Sequence, residues 1–215
     1  HKVEIFEKEK SIMHGASSAN QFRFHLGYHY PRSQKTVKEI NKSKDLFISY
    51  FGSNVFGKSS NYYLIAKKSK VKFNRYKNFL KKNNLFFKIL FNSFKEDFVE
   101  KCILSNEKVL NYFIFKKKIL KKIKTSKIKL HLKKEFKKKF LKNFDKVIVA
   151  TYANNNFILN KLGIKKLNEF KFELVEKILI KLPKKFEKKS YVVVDGKFVC
   201  IDPYLGTKYH LLSDV

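Results

Sequence analysis

The stretch HGASSANQFRFHLGYHYPRS, residues 14–33, differs in composition from the rest of the chain. It holds two of the three arginines, three of the six histidines and two of the seven glycines, whereas the remaining sequence is rich in Lys, Asn, Phe and Ile. Arginine and lysine are not interchangeable where a planar donor must bind two acceptors at once. The retained arginines therefore indicate a site that needs the guanidinium fork. The alternative is a turn-rich surface loop of common composition.

The formal net charge of +31 first suggests a nucleic acid or an anionic membrane as partner. The lysines, however, are spread along the whole chain and alternate with Phe, Ile and Leu, as on the solvated faces of helices and strands. This pattern is typical of a codon bias toward lysine rather than of a focused basic site. We therefore expect weak, salt-sensitive binding to polyanions and no specific nucleic-acid partner, with a basic nucleic-acid-binding module as an alternative function.

Length and composition favour one or two globular domains, because 215 residues with 44% apolar content can bury a core. Cys102 and Cys200 form no disulfide framework and no zinc-ligand spacing, so we expect no metal and a reducing, cytoplasmic location. No run of about 18 uncharged apolar residues predicts a membrane span. The chain opens on His1 and stops on Val215 after an apolar run, which suggests a fragment cut at both ends.

The N-terminal half alternates between short apolar runs and helical periodicities. Residues 2–6, KVEIF, predict a buried strand, and Glu7 follows where an acid could accept hydrogen bonds from ribose hydroxyls. The remaining predicted elements are helices over 34–51, 72–83 and 109–124, and strands over 61–66, 98–104 and 128–132. A second strand or a turn is expected near Phe136.

A phosphate-loop pattern, GSNVFGKS, occupies residues 52–59. Its spacing suggests a nucleotide-binding protein that uses Gly52–Ser59, which is a second alternative function. A phosphate loop follows a strand and leads into a helix. Residues 52–59 instead follow a predicted helix and lead into a predicted strand. The surrounding pattern therefore argues against that interpretation.

The C-terminal half begins with a predicted buried strand over 147–150, followed by small and polar residues and a helix over 157–162 that stops at Gly163. A strand that runs into such residues and then a helix is where α/β proteins place ligands. From Phe170 to Leu212 the alternation predicts a meander of antiparallel strands, with a hairpin turn at Asp195-Gly196.

The sequence resembles FAD-dependent oxidoreductases of the D-amino-acid-oxidase type. Residues 16–33 match the pattern ASxxNQxRxHxGYHYPRS, and three further matches follow in order: NYYLIA at 61–66, DKVIVATYANNN at 145–156 and DGKFVCIDPYLGTKYHLL at 195–212. The resemblance implies an α/β FAD/NAD(P)-binding, Rossmann-like domain (1–60 and 105–165) interleaved with an α+β substrate domain containing an antiparallel sheet (61–104 and 166–215). Both domains would be incomplete.

The resemblance also implies roles for single residues. Glu7 would hold the adenosine ribose, Phe136 would lie at the adenine, and the second pass of the chain beneath FAD would comprise Ala150, Thr151 and Tyr152. The turn that passes the pyrophosphate would supply Ser17, Ser18, Asn20, Gln21 and Arg23. His25, Gly27, Tyr28 and His29 would lie near the isoalloxazine ring. No catalytic residue follows from this; His25, Tyr28 and His29 are candidates, and for the two histidines a purely structural role in the loop stays open.

The implied activity is oxidation of a C–N or C–O bond of a small polar substrate by hydride transfer to the flavin. Two departures from the family pattern matter. The GxGxxG phosphate turn is absent, and the C-terminal part that completes the site is missing. The resemblance leaves the substrate and the oligomeric state open.

Overall fold

The structure, a computed structural model, describes residues 2–90, 97–165, 168–196 and 199–214. The chain forms two compact units. The smaller unit comprises His1–His14 and Leu120–Leu174, and the larger unit comprises Gly15–Ile119 and Val175–Val215. These divisions differ from the predicted boundaries after residues 60, 104 and 165, and the assignment of functions to domains stays a prediction.

Within the described residues, four helices run over Gln34–Phe51 (α1), Phe73–Lys82 (α2), Tyr112–Thr125 (α3) and Asn155–Lys161 (α4). The predicted bounds of α1 are confirmed at both ends, because local chemistry sets them. The Ser33 hydroxyl accepts a hydrogen bond from the Thr36 backbone N–H, and Gly52 ends the helix at φ +73°. The helix predicted from residue 109 begins only at Tyr112, because residues 108–110 pair as a strand.

The strands are Glu4–Phe6 (β1), Arg23–Phe24 (β2), Phe56–Gly57 (β3), Ser60–Ala66 (β4), Phe87–Leu90 (β5), Val99–Ser105 (β6), Lys108–Leu110 (β7), Lys129–His131 (β8), Ile178–Ile180 (β9), Lys189–Val194 (β10), Val199–Pro203 (β11) and His210–Asp214 (β12). In the larger unit they form a mixed seven-stranded sheet of order β5-β6-β4-β10-β11-β12-β9, in which only β4 and β10 are parallel, and an antiparallel sheet of order β2-β7-β3. In the smaller unit β1 pairs parallel with β8.

The core of the larger unit lies between α2 and one face of the seven-stranded sheet. Phe73, Tyr76 and Leu80 project from α2 at helical spacing and are buried. They pack in one cluster with alternate residues of the central strands, among them Tyr63 and Val192. Burial of apolar area at about 25 cal/mol per Å² makes this cluster the main source of stability in the unit.

The buried strand predicted over residues 147–150 is wrong. These residues form no strand, and Ile148 is 90% exposed. A strand exists through its ladder of hydrogen bonds, and in the described part of the smaller unit β1 and β8 pair only with each other. An apolar run without a neighbouring strand stays irregular. Near Phe136 the structure has a turn at residues 132–133 and no strand, so the strand offered as an alternative there is absent.

The predicted C-terminal antiparallel meander is confirmed from β9 onward, since β10, β11, β12 and β9 are neighbours in one sheet. Its first part is wrong, because residues 170–174 form no strand and their side chains are exposed. The turn at Asp195-Gly196 joins β10 to β11, with residues 197–198 outside the described part. Among the described residues, no helix is both long enough and apolar enough to cross a bilayer.

Candidate functional site

In the smaller unit, Glu7 directly follows β1. Its backbone N–H donates to the His131 carbonyl oxygen at 2.9 Å, which extends the pairing with β8, and its Oε1 accepts from the Glu9 backbone N–H at 2.9 Å. Oε2 has no hydrogen-bond partner within the described part of the chain. Because β1 and β8 are parallel, their carboxyl ends lie at one edge, where open α/β sheets bind ligands. Glu7 therefore offers a free carboxylate oxygen at that edge.

An aromatic cluster lies at the same edge. Phe6 stacks on His131 with ring centroids 4.5 Å apart and meets Phe136 edge-on at 5.2 Å. The His131 ring is held in turn by Glu4, with 2.7 Å between Nε2 and Oε2. The ring contacts fix Phe136 beside the last residue of β1, so the structure places two predicted cofactor residues, Glu7 and Phe136, at the carboxyl ends of these strands.

The predicted second pass, Ala150 to Tyr152, is an exposed turn. The Thr151 backbone N–H donates to Asn155 Oδ1 at 2.7 Å, and its hydroxyl lies 3.0 Å from the same atom. Tyr152 has φ +54° and is 74% exposed. Asn155 thus holds the turn in a fixed shape, with its side chains toward solvent.

In the larger unit, the segment predicted to pass a pyrophosphate is shaped mainly by its own side chains. Residues 16–18 form a 3₁₀ turn, and the Ser18 hydroxyl donates to the Gly15 carbonyl oxygen at 2.8 Å. Asn20 Nδ2 donates to the Ser17 carbonyl at 3.1 Å, while its Oδ1 accepts from the Phe22 backbone N–H at 2.7 Å. Local side-chain bonds of this kind replace backbone pairing in turns.

A second set of contacts fixes the end of this segment. Gln21 Nε2 donates to Ser213 Oγ at 3.4 Å. The Ser17 side chain is exposed and its hydroxyl has no partner among the described residues, so it stays available to a ligand.

Arg23 on β2 is the centre of a buried ion cluster. Its Nη2 donates to Glu107 Oε2 at 2.9 Å and its Nη1 to Asp202 Oδ1 at 2.8 Å, and all three side chains are fully buried. Nη1 also donates to the Ser190 hydroxyl, and the Tyr63 hydroxyl donates to Glu107 Oε2 at 2.6 Å. The guanidinium fork therefore joins two carboxylates, which explains why lysine cannot replace it.

The register of the seven-stranded sheet aligns polar side chains beside this cluster. Asn61 on β4 pairs with Ser105 on β6 and with Ser190 on β10, and the Ser190 hydroxyl donates to Asp202 Oδ1 at 2.6 Å. A polar row thus crosses four neighbouring strands on an otherwise apolar face. Asn61 Nδ2 donates to the Glu107 carbonyl oxygen at 2.6 Å, which fixes the backbone that carries the second carboxylate.

Glu107 connects this cluster to the histidine-bearing loop. Its Oε1 accepts from the Leu26 backbone N–H at 2.9 Å and lies 3.8 Å from His25 Nδ1. Burial alone would raise the pKa of Glu107, but the neighbouring His25 and Arg23 outweigh burial and lower it to about 2. Glu107 is therefore ionised at neutral pH and fixes the path of the chain from Arg23 to Leu26.

Tyr28 and Gly27 hold this loop against the rest of the larger unit. Tyr28 is fully buried, its ring stacks on Tyr63 at 5.5 Å, and its hydroxyl lies 2.5 Å from the Phe86 carbonyl oxygen. Gly27 has φ +119°, and a Cβ there would lie 3.2 Å from both methyl groups of Val37 on α1. Both residues position the loop by packing against the core and α1.

His29 lines a pocket of about 350 Å³ in the same unit, together with Tyr30, Arg32 and Asp195. Burial, followed by the charges of His25 and Arg23, lowers the pKa of His29 to about 4. Its Nδ1 is buried without a hydrogen-bond partner among the described residues. An imidazolium would bury an unpaired N–H donor there, so the ring is neutral at pH 7.

The protonation state of His29 predicts how stability depends on pH. The unfolded chain binds a proton at this ring near pH 6.5 and the folded chain only near pH 4, so the stability that it contributes is lost as the pH falls through that interval. We expect His29→Gln to lose about 1–2 kcal/mol less free energy of unfolding than the wild type over this pH interval. The difference is smaller than the full pKa shift would give, because the His29 ring is partly exposed to solvent. Urea unfolding between pH 7 and 4 measures it, and an unchanged slope in the variant would contradict the assignment.

No family model matches the sequence. An FAD-dependent monooxygenase from Fusarium mangiferae is 39% identical over 49 residues, which is 23% of this chain and 12% of that protein. Glycine oxidase from Geobacillus kaustophilus superposes over 100% of this chain and 65% of its own, with a TM-score of 0.68 and 14% identity.

Two further solved structures match nearly the whole chain. L-alpha-glycerophosphate oxidase from Mycoplasma pneumoniae, solved with FAD bound, gives a TM-score of 0.65 at 13% identity and covers 100% of this chain and 65% of its own. L-proline dehydrogenase from P. horikoshii gives 0.63 at 13% identity, over 98% of this chain and 62% of its own. The chain has the fold of these two oxidases and this dehydrogenase. It spans 62–65% of the length of these three structures. The predicted antiparallel sheet is confirmed, and the interleaved Rossmann-like domain stays a prediction.

Sequence reasoning missed the acidic partners of Arg23. Glu107 reads as a solvated charge in a loop between strands, and nothing local distinguishes it. Asp202 carried a usable signal, because an acid inside the apolar run VCIDP must find a partner when the strand is buried. Among the described residues no group of three or more His, Cys, Asp and Glu side chains could hold a metal ion.

Proposed function

We propose that the protein is an FAD-dependent oxidoreductase that oxidises a C–N or C–O bond of a small polar substrate. The observation that carries the proposal is the match of the whole chain to three solved flavoenzyme structures. The short similarity to an FAD-dependent monooxygenase supports the same cofactor. In this proposal the smaller unit is the partial Rossmann-like, FAD-binding part and the larger unit carries the substrate side.

The residues of the smaller unit suit the adenosine end of FAD. The free Oε2 of Glu7 can accept a hydrogen bond from a ribose hydroxyl, and the aromatic cluster around Phe136 offers an apolar surface for adenine. The pyrophosphate would need donors beyond these, because the sequence contains no GxGxxG turn. When bound, FAD supplies the acceptor for the hydride.

In this proposal the ion cluster of the larger unit positions the histidine-bearing loop and does not contact FAD or substrate. Every donor bond found for the Arg23 side chain ends on Glu107, Asp202 or Ser190. We therefore assign Arg23 to holding β2 and the following loop, so that His25 and His29 keep fixed positions. These two histidines stay the candidates for contact with flavin or substrate, and the ring of His29 is neutral at pH 7.

The phosphate-loop alternative finds no support in the geometry. The segment Gly52–Ser59 follows α1 and leads through a 3₁₀ turn into β3 and β4, so the strand-to-helix turn that cradles phosphates is absent from it.

The activity test is anaerobic reduction of the flavin in protein expressed from its complete coding sequence. Small amino acids, secondary amines, hydroxy acids and polyol phosphates are added in turn, and bleaching of the flavin absorbance identifies the class that donates a hydride. Dithionite supplies the positive control. Flavin that dithionite bleaches, but that a broad panel of amines and alcohols leaves oxidised, would contradict the proposed reaction.

Replacing Glu7 tests the adenosine site separately from the chemistry. We expect Glu7→Gln to weaken FAD binding about 10-fold, because a hydrogen bond from ribose to a charged acceptor contributes about 1.5–3 kcal/mol. Glu9→Gln is the matched control, since it removes the same charge two residues away. Equilibrium dialysis against FAD gives both dissociation constants, and equal effects of the two variants would exclude a specific role for Glu7.

A further inference from the structure

The pocket beside His29 contains two cationic side chains, Arg32 and Lys70, to which the proposed function gives no role. Three separate segments of the larger unit form it: the loop with His29, Tyr30 and Arg32, the turn that carries Lys70, and the end of β10 with Asp195. Its volume of about 350 Å³ is sufficient for a small metabolite.

Hydrogen bonds lock these three segments together around Asp195. The Arg32 guanidinium binds both carboxylate oxygens of Asp195, with Nε to Oδ2 at 2.5 Å and Nη2 to Oδ1 at 3.3 Å. The Asp195 backbone N–H donates to Ser69 Oγ at 2.7 Å, and the Lys70 backbone N–H donates to the Asp195 carbonyl oxygen at 3.0 Å. The Ser69 hydroxyl is buried and also donates to the Val71 carbonyl oxygen. The pocket wall is therefore held in place before any ligand arrives, which reduces the entropic cost of binding.

The charges around the pocket leave one positive charge in excess. Arg32 and Lys70 are cationic, and Asp195 neutralises one of them through the bidentate pair. The Lys70 ammonium has no ion-pair or hydrogen-bond partner in the described residues. His29 adds a neutral imidazole and Tyr30 a phenol, so hydrogen-bonding groups accompany the cation.

We propose that this pocket is an oxyanion-binding site, in which the Lys70 ammonium and the free N–H groups of Arg32 bind a carboxylate or phosphate group of a small ligand. A guanidinium already oriented by Asp195 presents its remaining donors in a fixed plane, and a carboxylate or phosphate accepts from such donors with good geometry. Asp195 neutralises the charge of Arg32, so the Lys70 ammonium supplies the net positive charge of the site. This site goes beyond the proposed oxidoreductase function and does not depend on FAD.

The test is calorimetric titration of the full chain with acetate and, separately, with inorganic phosphate, at pH 7 and at an ionic strength held constant with chloride. A net charge of +31 attracts any anion, so the matched comparison is essential. Lys70→Met and Lys68→Met make the same change in net charge, and only Lys70 lines the pocket.

We expect saturable binding of at least one anion. Its dissociation constant should increase about 10-fold in Lys70→Met and less than twofold in Lys68→Met. In Lys70→Arg the dissociation constant should stay within about threefold of the wild-type value. Tighter binding of acetate identifies a carboxylate ligand, and tighter binding of phosphate identifies a phosphorylated one. Absence of saturable binding of both anions, or equal losses in Lys70→Met and Lys68→Met, would overturn the proposal.

Discussion

Replacing Arg23 with methionine should lower the free energy of unfolding by about 3–5 kcal/mol. The substitution keeps an unbranched side chain of similar length but removes the guanidinium that binds both Glu107 and Asp202. Two fully buried carboxylates would then lie without the guanidinium between them, and Asp202 Oδ2 already lacks a hydrogen-bond partner within the described part of the chain. Urea unfolding followed by tyrosine fluorescence measures the loss, because Tyr28, Tyr63 and Tyr76 lie in the same core.

Two comparisons make this result specific to the ion cluster. Arg75 is exposed on α2, and Arg75→Met should change the stability by less than about 0.5 kcal/mol. Arg23→Lys should recover only part of the loss, because one ammonium cannot reproduce the fork between two carboxylates. A loss below about 1 kcal/mol for Arg23→Met would show that the cluster does not support the fold in the way described.

Replacing Glu107 with glutamine should flatten the acid limb of the stability curve. The pKa of Glu107 is lowered from 4.5 to about 2 in the folded chain, so the unfolded chain takes up the proton first and stability falls as the pH drops from about 4.5 toward 2. The interval corresponds to about 3 kcal/mol at 1.36 kcal/mol per pH unit. That stabilisation is fully present above pH 4.5, and Glu107→Gln should lack its acid-dependent loss.

The measurement is urea unfolding of both proteins at a series of pH values from 6 to 2. Glu39→Gln, an exposed acid on α1, serves as the control and should leave the slope of stability against pH unchanged. Parallel curves for the wild type and Glu107→Gln would mean that Glu107 titrates normally, and would remove its assignment as the ionised anchor of the loop.

Local signals predicted much of the fold. The helix α1 follows from periodicity with a serine cap and a terminal glycine, and β4 follows from the β-run that precedes a charged turn. Prediction failed where pairing decides the outcome. Residues 108–110 form β7 because β2 and β3 pair with them, and residues 147–150 stay irregular because no strand in the described chain does.

In the candidate site, too, local signals were informative and long-range contacts were not predictable. Composition identified Arg23 as a residue that needs its guanidinium group, but the partners that give it a role lie 84 and 179 positions away. No periodicity or spacing connects residues at such separations. The resemblance implies a position near the flavin for Tyr28, which stays a prediction. Its complete burial follows from packing against Tyr63 and Tyr76, which no local pattern shows.

The most direct test of the central proposal is the flavin content of protein purified after expression from its complete coding sequence. We predict close to one flavin per chain, released on denaturation and identified as FAD by its conversion to FMN and AMP with a phosphodiesterase. A correctly folded protein that contains no flavin, and that takes up none during incubation with excess FAD, would contradict it.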